Sequence, residues 1–109
     1  MVERRRYVRW KLNLPVACKL LDSPTTINTV TNDIGLRGLQ VTLPWYPEVN
    51  SLLEVKIETE KTEEPILVKG EIVWQGRSQK EDNFNTGIYF TKIKSQDKER
   101  LFKYILEKI

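Results

Sequence analysis

Hydrophobic and polar residues alternate with a period of two along most of the chain. From Trp10 to Leu20 the even positions are Trp10, Leu12, Leu14, Val16, Cys18 and Leu20, while the odd ones are Arg9, Lys11, Asn13, Pro15, Ala17 and Lys19. Successive side chains of a strand point to opposite faces, so this pattern predicts a first strand with one apolar face. Pro15 cannot donate to a ladder and predicts an edge or a bulge within it. Arg9 falls on the polar register, facing water or a ligand.

The same reading continues to residue 94. Asp22-Ser23-Pro24 predicts a turn, Thr26 to Thr31 a β-branched second strand, and Asn32 to Gly38 a tight connection. Leu39, Val41 and Leu43 line a third strand, and Leu53, Val55 and Ile57 a fourth. Ile66, Val68, Ile72 and Trp74 share one face of a fifth, with Gly70 a candidate bulge, and Phe84 to Phe90 form a sixth. After Ser95, read as an N-cap with Asp97 and Glu99 in the first turn, the period becomes helical. Leu101, Phe102, Ile105, Leu106 and Ile109 then form one apolar stripe. The predicted class is all-β with a C-terminal helix, a six-stranded antiparallel β-barrel plugged or flanked by that helix. The division is a basic arm over 1–11, a barrel over 12–94 and a helix over 95–109.

Composition narrows the function. The chain has 109 residues, no His and a single Cys. That length accommodates one domain with a modest core. The missing His removes the commonest general base and metal ligand, and one Cys excludes a disulfide framework or a thiolate zinc site. There is no apolar run long enough for a membrane span and no signal-peptide stretch, which predicts a reduced, cytoplasmic domain. Arg4, Arg5, Arg6, Arg9 and Lys11 against Glu3 make residues 1–11 net +4, leaving −1 for the rest of a chain whose total is +3. A protein that grips long nucleic acid spreads its cations over a face, so no polymeric nucleic-acid partner is expected.

Two short motifs carry candidate chemistry. The first is Arg5-Arg6-Tyr7-Val8-Arg9. Guanidinium forks match phosphate oxygens and the O6/N7 edge of guanine. In an extended segment Arg5 and Arg9 stand up to ~13 Å apart, enough to bracket a dinucleotide-sized ligand. By itself the segment is equally a solvated basic tail. The second is Asp33-x-Gly35-x-x-Gly38, whose carboxylate can accept from guanine N1 and N2 and whose glycines allow close backbone approach. By itself it is also an ordinary hairpin turn.

In this order the two motifs resemble the PilZ domain family, bacterial receptors for cyclic di-GMP. The likeness covers essentially the whole chain, including Gly70-x-x-Val73-Trp74, Gly87-x-x-Phe90 and the closing helix. The resemblance implies a six-stranded barrel and a ligand site in which Arg5 and Arg9 contact phosphates and guanine edges. Arg6 is then the second arginine of the longer motif, Asp33 holds a guanine, and Gly38 permits close approach. It further implies an arm that orders onto the barrel on binding, and a protein partner that reads the bound state. No cofactor other than that ligand, no metal and no catalysis are implied. Gly35 replaces the family's usual Ser, and a lost neutral hydrogen bond weakens binding by about 0.5–1.5 kcal/mol. Arg4 and Arg37 are accessory candidates, Arg4 because an arginine there accompanies capture of two stacked ligands.

Two alternatives stand beside the receptor. One is a PilZ-like protein-interaction module without nucleotide affinity, for which Gly35 is the best support. The other is a small-barrel nucleic-acid binder, which needs a broadly basic, aromatic-studded face. No residue set offers a base and a nucleophile together, so an enzyme is not expected. Cys18, Trp10 and Trp74 read as core residues. Trp45-Tyr46, between Pro44 and Pro47, reads as a barrel cap or an exposed patch.

Overall fold

The computed structural model describes residues 8–44, 48–59, 64–77 and 83–109. Arg4, Arg5 and Arg6, the Trp45-Tyr46 pair and the charged stretches 61–63 and 80–82 lie outside the described residues. The elements are β1 (Arg9–Trp10), β2 (Pro15–Leu20), β3 (Thr26–Gly35), β4 (Gly38–Leu43), β5 (Leu52–Ile57), β6 (Ile66–Arg77), β7 (Phe84–Ile93) and α1 (Ser95–Lys108). All pairings are antiparallel, and they close: β2 joins β3 and β5, β5 joins β6, β6 joins β7, β7 joins β4, and β4 returns to β3. Closure gives each of these six strands two neighbours. The inward registers fill the barrel with Val16, Cys18, Ile34, Leu39, Val41, Leu43, Leu53, Val55, Ile57, Ile66, Val68, Ile72, Ile88 and Phe90, all buried. Each fully buried aliphatic side chain contributes about 1.5–3 kcal/mol of transfer free energy, which makes this face the main source of stability.

The barrel is six-stranded as expected, but its first strand is interrupted. β1 and β2 pair the same edge of β3, at Ile34–Gly35 and at Thr26–Val30 respectively. Residues 11–14 between them pass three β3 residues, 31–33, so one residue is extra. Thr31, fully buried, stitches the gap. Its amide donates to Leu14 O at 2.9 Å, the Leu14 amide donates to Thr31 Oγ1 at 2.9 Å, and that hydroxyl donates to Leu12 O. Asn13 Nδ2 donates to Thr31 O at 2.7 Å. Pro15 opens β2, a position where its missing N–H costs no ladder bond. At the end of the segment expected as an arm, Arg9 and Trp10 pair Gly35 and Ile34 of β3, with Trp10 packed against the core.

Bulges set the outward side chains. Thr31 pairs Val41, yet Asp33 pairs Gln40, so Asn32 is the extra residue in β3. Without it, alternation would carry Asp33 to the core side with Thr31; with it, the carboxylate faces out. The expected tight connection over 32–38 is accordingly mostly strand, and only Leu36 and Arg37 separate β3 from β4. In β6, Ile72 pairs Ile88 and Trp74 pairs Gly87, which makes Val73 extra and turns Trp74 outward. Trp74 is 38% exposed, against its expected place in the core, whereas Trp10 packs on the core as a half-buried residue. Beside Gly70 the ladder also shifts, with Thr91 of β7 as the added residue.

α1 packs against β6 and buries Leu101, Tyr104 and Ile105. Phe102, Leu106 and Ile109, expected on the buried stripe, are exposed. Only one narrow arc of the helix meets the barrel, and Tyr104 shares that arc with Leu101 and Ile105. The N-cap is Lys94, with no side-chain capping bond, and Ser95 is the first helical residue.

Candidate functional site

The chemistry-bearing residues that the structure describes meet on the outer face where β1 crosses the end of β3. Arg9 pairs Gly35 and Asp33 pairs Gln40, all on outward registers. Arg9 Nε donates to Asp33 Oδ1 at 2.9 Å, and Arg9 Nη2 donates to the same oxygen. Gln40 Nε2 donates to Asp33 Oδ2 at 3.0 Å. The Arg9 and Asp33 side chains are 22% and 13% exposed, so the ion pair is largely shielded but reachable. Two residues from separate motifs, 24 positions apart in sequence, thus hold one another directly.

Neither motif glycine adopts a positive φ. Each is needed for room. A Cβ on Gly35 would lie 2.5 Å from the Val8 carbonyl oxygen, and one on Gly38 would lie 2.5 Å from the Ile88 carbonyl oxygen. The space above both glycines is therefore taken by the chain's own backbone. Arg37, between them, is exposed at the hairpin tip, and its carbonyl accepts from Phe90 N at 2.8 Å. Leu36 at that tip borders a depression of about 420 Å³ shared with Ser95, Gln96, Lys98, Glu99 and Phe102 of α1. The hairpin of the second motif is in this way adjacent to the helix.

Sequence reasoning missed three participants. Gln40 lies on the outward register of β4, between the buried Leu39 and Val41, and alternation could have exposed it. Gly87 and Trp74 continue the same cross-strand row, Asp33–Gln40–Gly87–Trp74. A Cβ on Gly87 would sit 2.1 Å from Trp74 Nε1, so the indole rests directly against that glycine. Below this row Asn32 Nδ2 donates to Thr42 Oγ1 at 3.0 Å, and that hydroxyl donates to Asn85 Oδ1 at 3.1 Å. A guanidinium, a carboxylate, amides and an indole thus share one outer face. That set suits a flat heterocycle bearing hydrogen-bond donors and an anionic group nearby.

Cys18 is not part of it. The side chain is buried inside the barrel, and burial pushes its thiol up to about 12, which holds it in the unreactive protonated form. Among the described residues no cluster of three or more His, Cys, Asp or Glu is placed to hold a metal.

Solved structures share this architecture at low sequence identity. The Bacillus subtilis inhibitor of motility (MotI/DgrA) superposes with a TM-score of 0.79 at 20% identity, over 98% of this chain and 52% of that one. YcgR of Escherichia coli, solved in complex with c-di-GMP, gives 0.75 at 16% identity over 97% and 46%. The PilZ domain of CeSA from a cellulose-synthesizing bacterium gives 0.69 at 15% identity over 92% and 96%. The chain thus spans about half the length of the first two and nearly all of the third. Among curated proteins no sequence matches it. The model of the PilZ domain matches residues 3–107, from the arginine motif through α1, and the chain belongs to the PilZ domain family.

Proposed function

We propose that this domain is a receptor for cyclic di-GMP that acts by binding, without converting the ligand and without a further cofactor. The observation that carries the reading is the Arg9–Asp33 pair. The two motifs reach one place on the outer face, where a guanidinium and a carboxylate are held ready. Arg9 then serves a phosphate or a guanine O6/N7 edge, and Asp33 serves guanine N–H donors. Gly35, Gly38 and Arg37 frame the site, and Arg4, Arg5 and Arg6 supply further cations from the arm ahead of β1. Closing that arm over a bound dianion gives new charge-assisted hydrogen bonds against the entropy of ordering it. YcgR, whose fold this chain shares, was solved with the same ligand.

The downstream role we assign is that of a cytoplasmic adaptor read by a protein partner. Among the described residues no helix is long and apolar enough to cross a membrane. The hairpin tip and α1 line one depression, which offers a route by which ligand at Asp33 changes a surface elsewhere. Calorimetric titration with cyclic di-GMP tests the reading. Wild type binds with Kd of about 1 μM or tighter, and Arg9→Ala loses at least about tenfold. No heat and no amide shift at about 100 μM ligand, a level that saturates any such site, refutes it. That result would favour the interaction module, since Arg9 and Asp33 already satisfy one another without a ligand. Salt-sensitive binding to a random oligonucleotide would favour the nucleic-acid binder.

A further inference from the structure

The acceptor capacity of Asp33 has a consequence for how a base is read there. An ionised carboxylate offers about four lone-pair sites and donates nothing. Three are occupied: two on Oδ1 by Arg9 Nε and Nη2, and one on Oδ2 by Gln40 Nε2. Because a carboxylate only accepts, the amide of Gln40 is oriented with nitrogen toward Asp33 and Oε1 away from it. One acceptor site remains on Oδ2, with the Gln40 amide beside it. The Watson–Crick edge of guanine presents two adjacent kinds of donor, N1–H and the 2-amino group. Asp33 alone cannot take both while it keeps its present partners.

We infer that Gln40 is a specificity-determining residue that completes guanine recognition, its Oε1 accepting from the 2-amino group while Asp33 Oδ2 accepts from N1–H. This rests on the receptor reading given above and goes beyond it, by naming the residue that distinguishes a 2-amino purine from one without it. Gln40 suits the role by position as well as chemistry. It stands on β4 between Asp33 and Gly87, where the absence of a side chain leaves the Trp74 indole as the next group along the row. Both groups sit on paired strands, so the distance between them is fixed by the ladder. A purine lacking the 2-amino group leaves one acceptor unpaired in a shielded site, which is penalised more than a lost surface contact.

Cyclic di-GMP and cyclic di-IMP, which lacks only the 2-amino groups, are titrated against wild type, Gln40→Leu and Gln40→Asn, with amide spectra confirming that each variant folds. Wild type prefers the guanine ligand about tenfold, the upper value for one neutral hydrogen bond. In Gln40→Leu that preference falls to about threefold or less, because cyclic di-GMP weakens while cyclic di-IMP does not. Gln40→Asn, whose shorter amide reaches less far, falls between them. An unchanged preference in a folded Gln40→Leu overturns the inference while leaving the receptor reading intact. An equal loss for both ligands also overturns it, since it leaves Gln40 only the role of positioning Asp33. If wild type binds neither ligand, the receptor reading fails and the inference with it.

Discussion

The carbonyl oxygen of Val8 occupies the space that a side chain on Gly35 would need, 2.5 Å from the position of its Cβ. Real Cβ atoms do not sit that close to a backbone oxygen, and here the obstructing atom belongs to the segment that carries Arg9. Gly35 is paired with Arg9 in the ladder, so the glycine and the path of the arm are one feature. Gly35→Ala and Gly35→Ser are therefore expected to displace β1, at a cost of about 1–3 kcal/mol typical of overpacking. Hydrogen exchange at Arg9 and Trp10 should accelerate in both variants while the β5–β6 amides stay protected. Unchanged protection at Arg9 would show that Val8 moves aside freely.

Arg9 and Asp33 are expected to couple energetically in the ligand-free protein. The pair is charge-assisted and mostly shielded, yet enough water reaches it to screen the attraction. A double-mutant cycle with Arg9→Ala and Asp33→Ala should give a coupling of about 1 kcal/mol, reduced in molar salt. Arg9→Lys should recover only part, because an ammonium cannot reproduce the two guanidinium donors that Asp33 Oδ1 now accepts. A coupling of zero at low salt would mean that the ion pair forms without stabilising anything.

Alternation made the inward faces legible. Val16, Cys18, Leu39, Val41, Leu43, Leu53, Val55 and Ile57 are all buried where a period of two puts them. What alternation cannot register is a single inserted residue. Asn32 and Val73 each shift the phase by one, so a strict period would carry Asp33 and Trp74 to the core side, and the structure sets both on the outer face. The break between β1 and β2 is hidden for a related reason. Leu12 and Leu14 stay on the apolar register through the gap, and the loss of pairing there is compensated by Thr31, a residue with no local sequence signal. Arg9 and Asp33 were legible as chemistry, whereas Gln40, outward by alternation, is recognised as the neighbour of Asp33 only when the register between β3 and β4 is known. On α1 the apolar residues span a wider arc than the barrel covers, and tyrosine, with its polar tip, hides its part in the buried face.

Cys18 links the core to pH. Its thiol is pushed from the ordinary 9.0 up to about 12 by burial, so the folded protein holds the proton more tightly than the unfolded chain does. For such a group the stabilisation is complete below pH 9 and is lost as pH rises from there toward 12. Within that window unfolding free energy should fall by up to about 1.4 kcal/mol per pH unit, the slope for one proton. Cys18→Ala should be less stable at neutral pH, by roughly 1 kcal/mol for a lost buried sulfur, but should lack this component of the alkaline slope. Denaturant titrations at pH 7 and pH 10 measure both quantities, and identical alkaline slopes for wild type and variant would remove Cys18 as the cause. The same burial predicts that the native thiol resists modification at pH 8 and reacts once the chain is unfolded.

The helix offers a direct test of which side faces the barrel. Leu101 and Ile105 are fully buried, whereas Phe102 and Leu106 are 42% and 50% exposed, although all four belong to one apolar stripe in the sequence. Truncating a fully buried leucine or isoleucine to alanine costs about 2–5 kcal/mol, through lost transfer energy and the cavity left behind. Leu101→Ala and Ile105→Ala should therefore lower stability by that amount, enough to unfold a marginal domain of this size. Phe102→Ser and Leu106→Ser remove apolar surface that already meets water, and each should change stability by no more than about 1 kcal/mol. Tyr104→Ala should join the costly group despite its polar hydroxyl, because its ring lies on the buried face with Leu101. Chemical denaturation of the five variants decides the matter. Equal losses at Phe102 and Leu101 would mean that the helix turns its wider arc toward the barrel in solution.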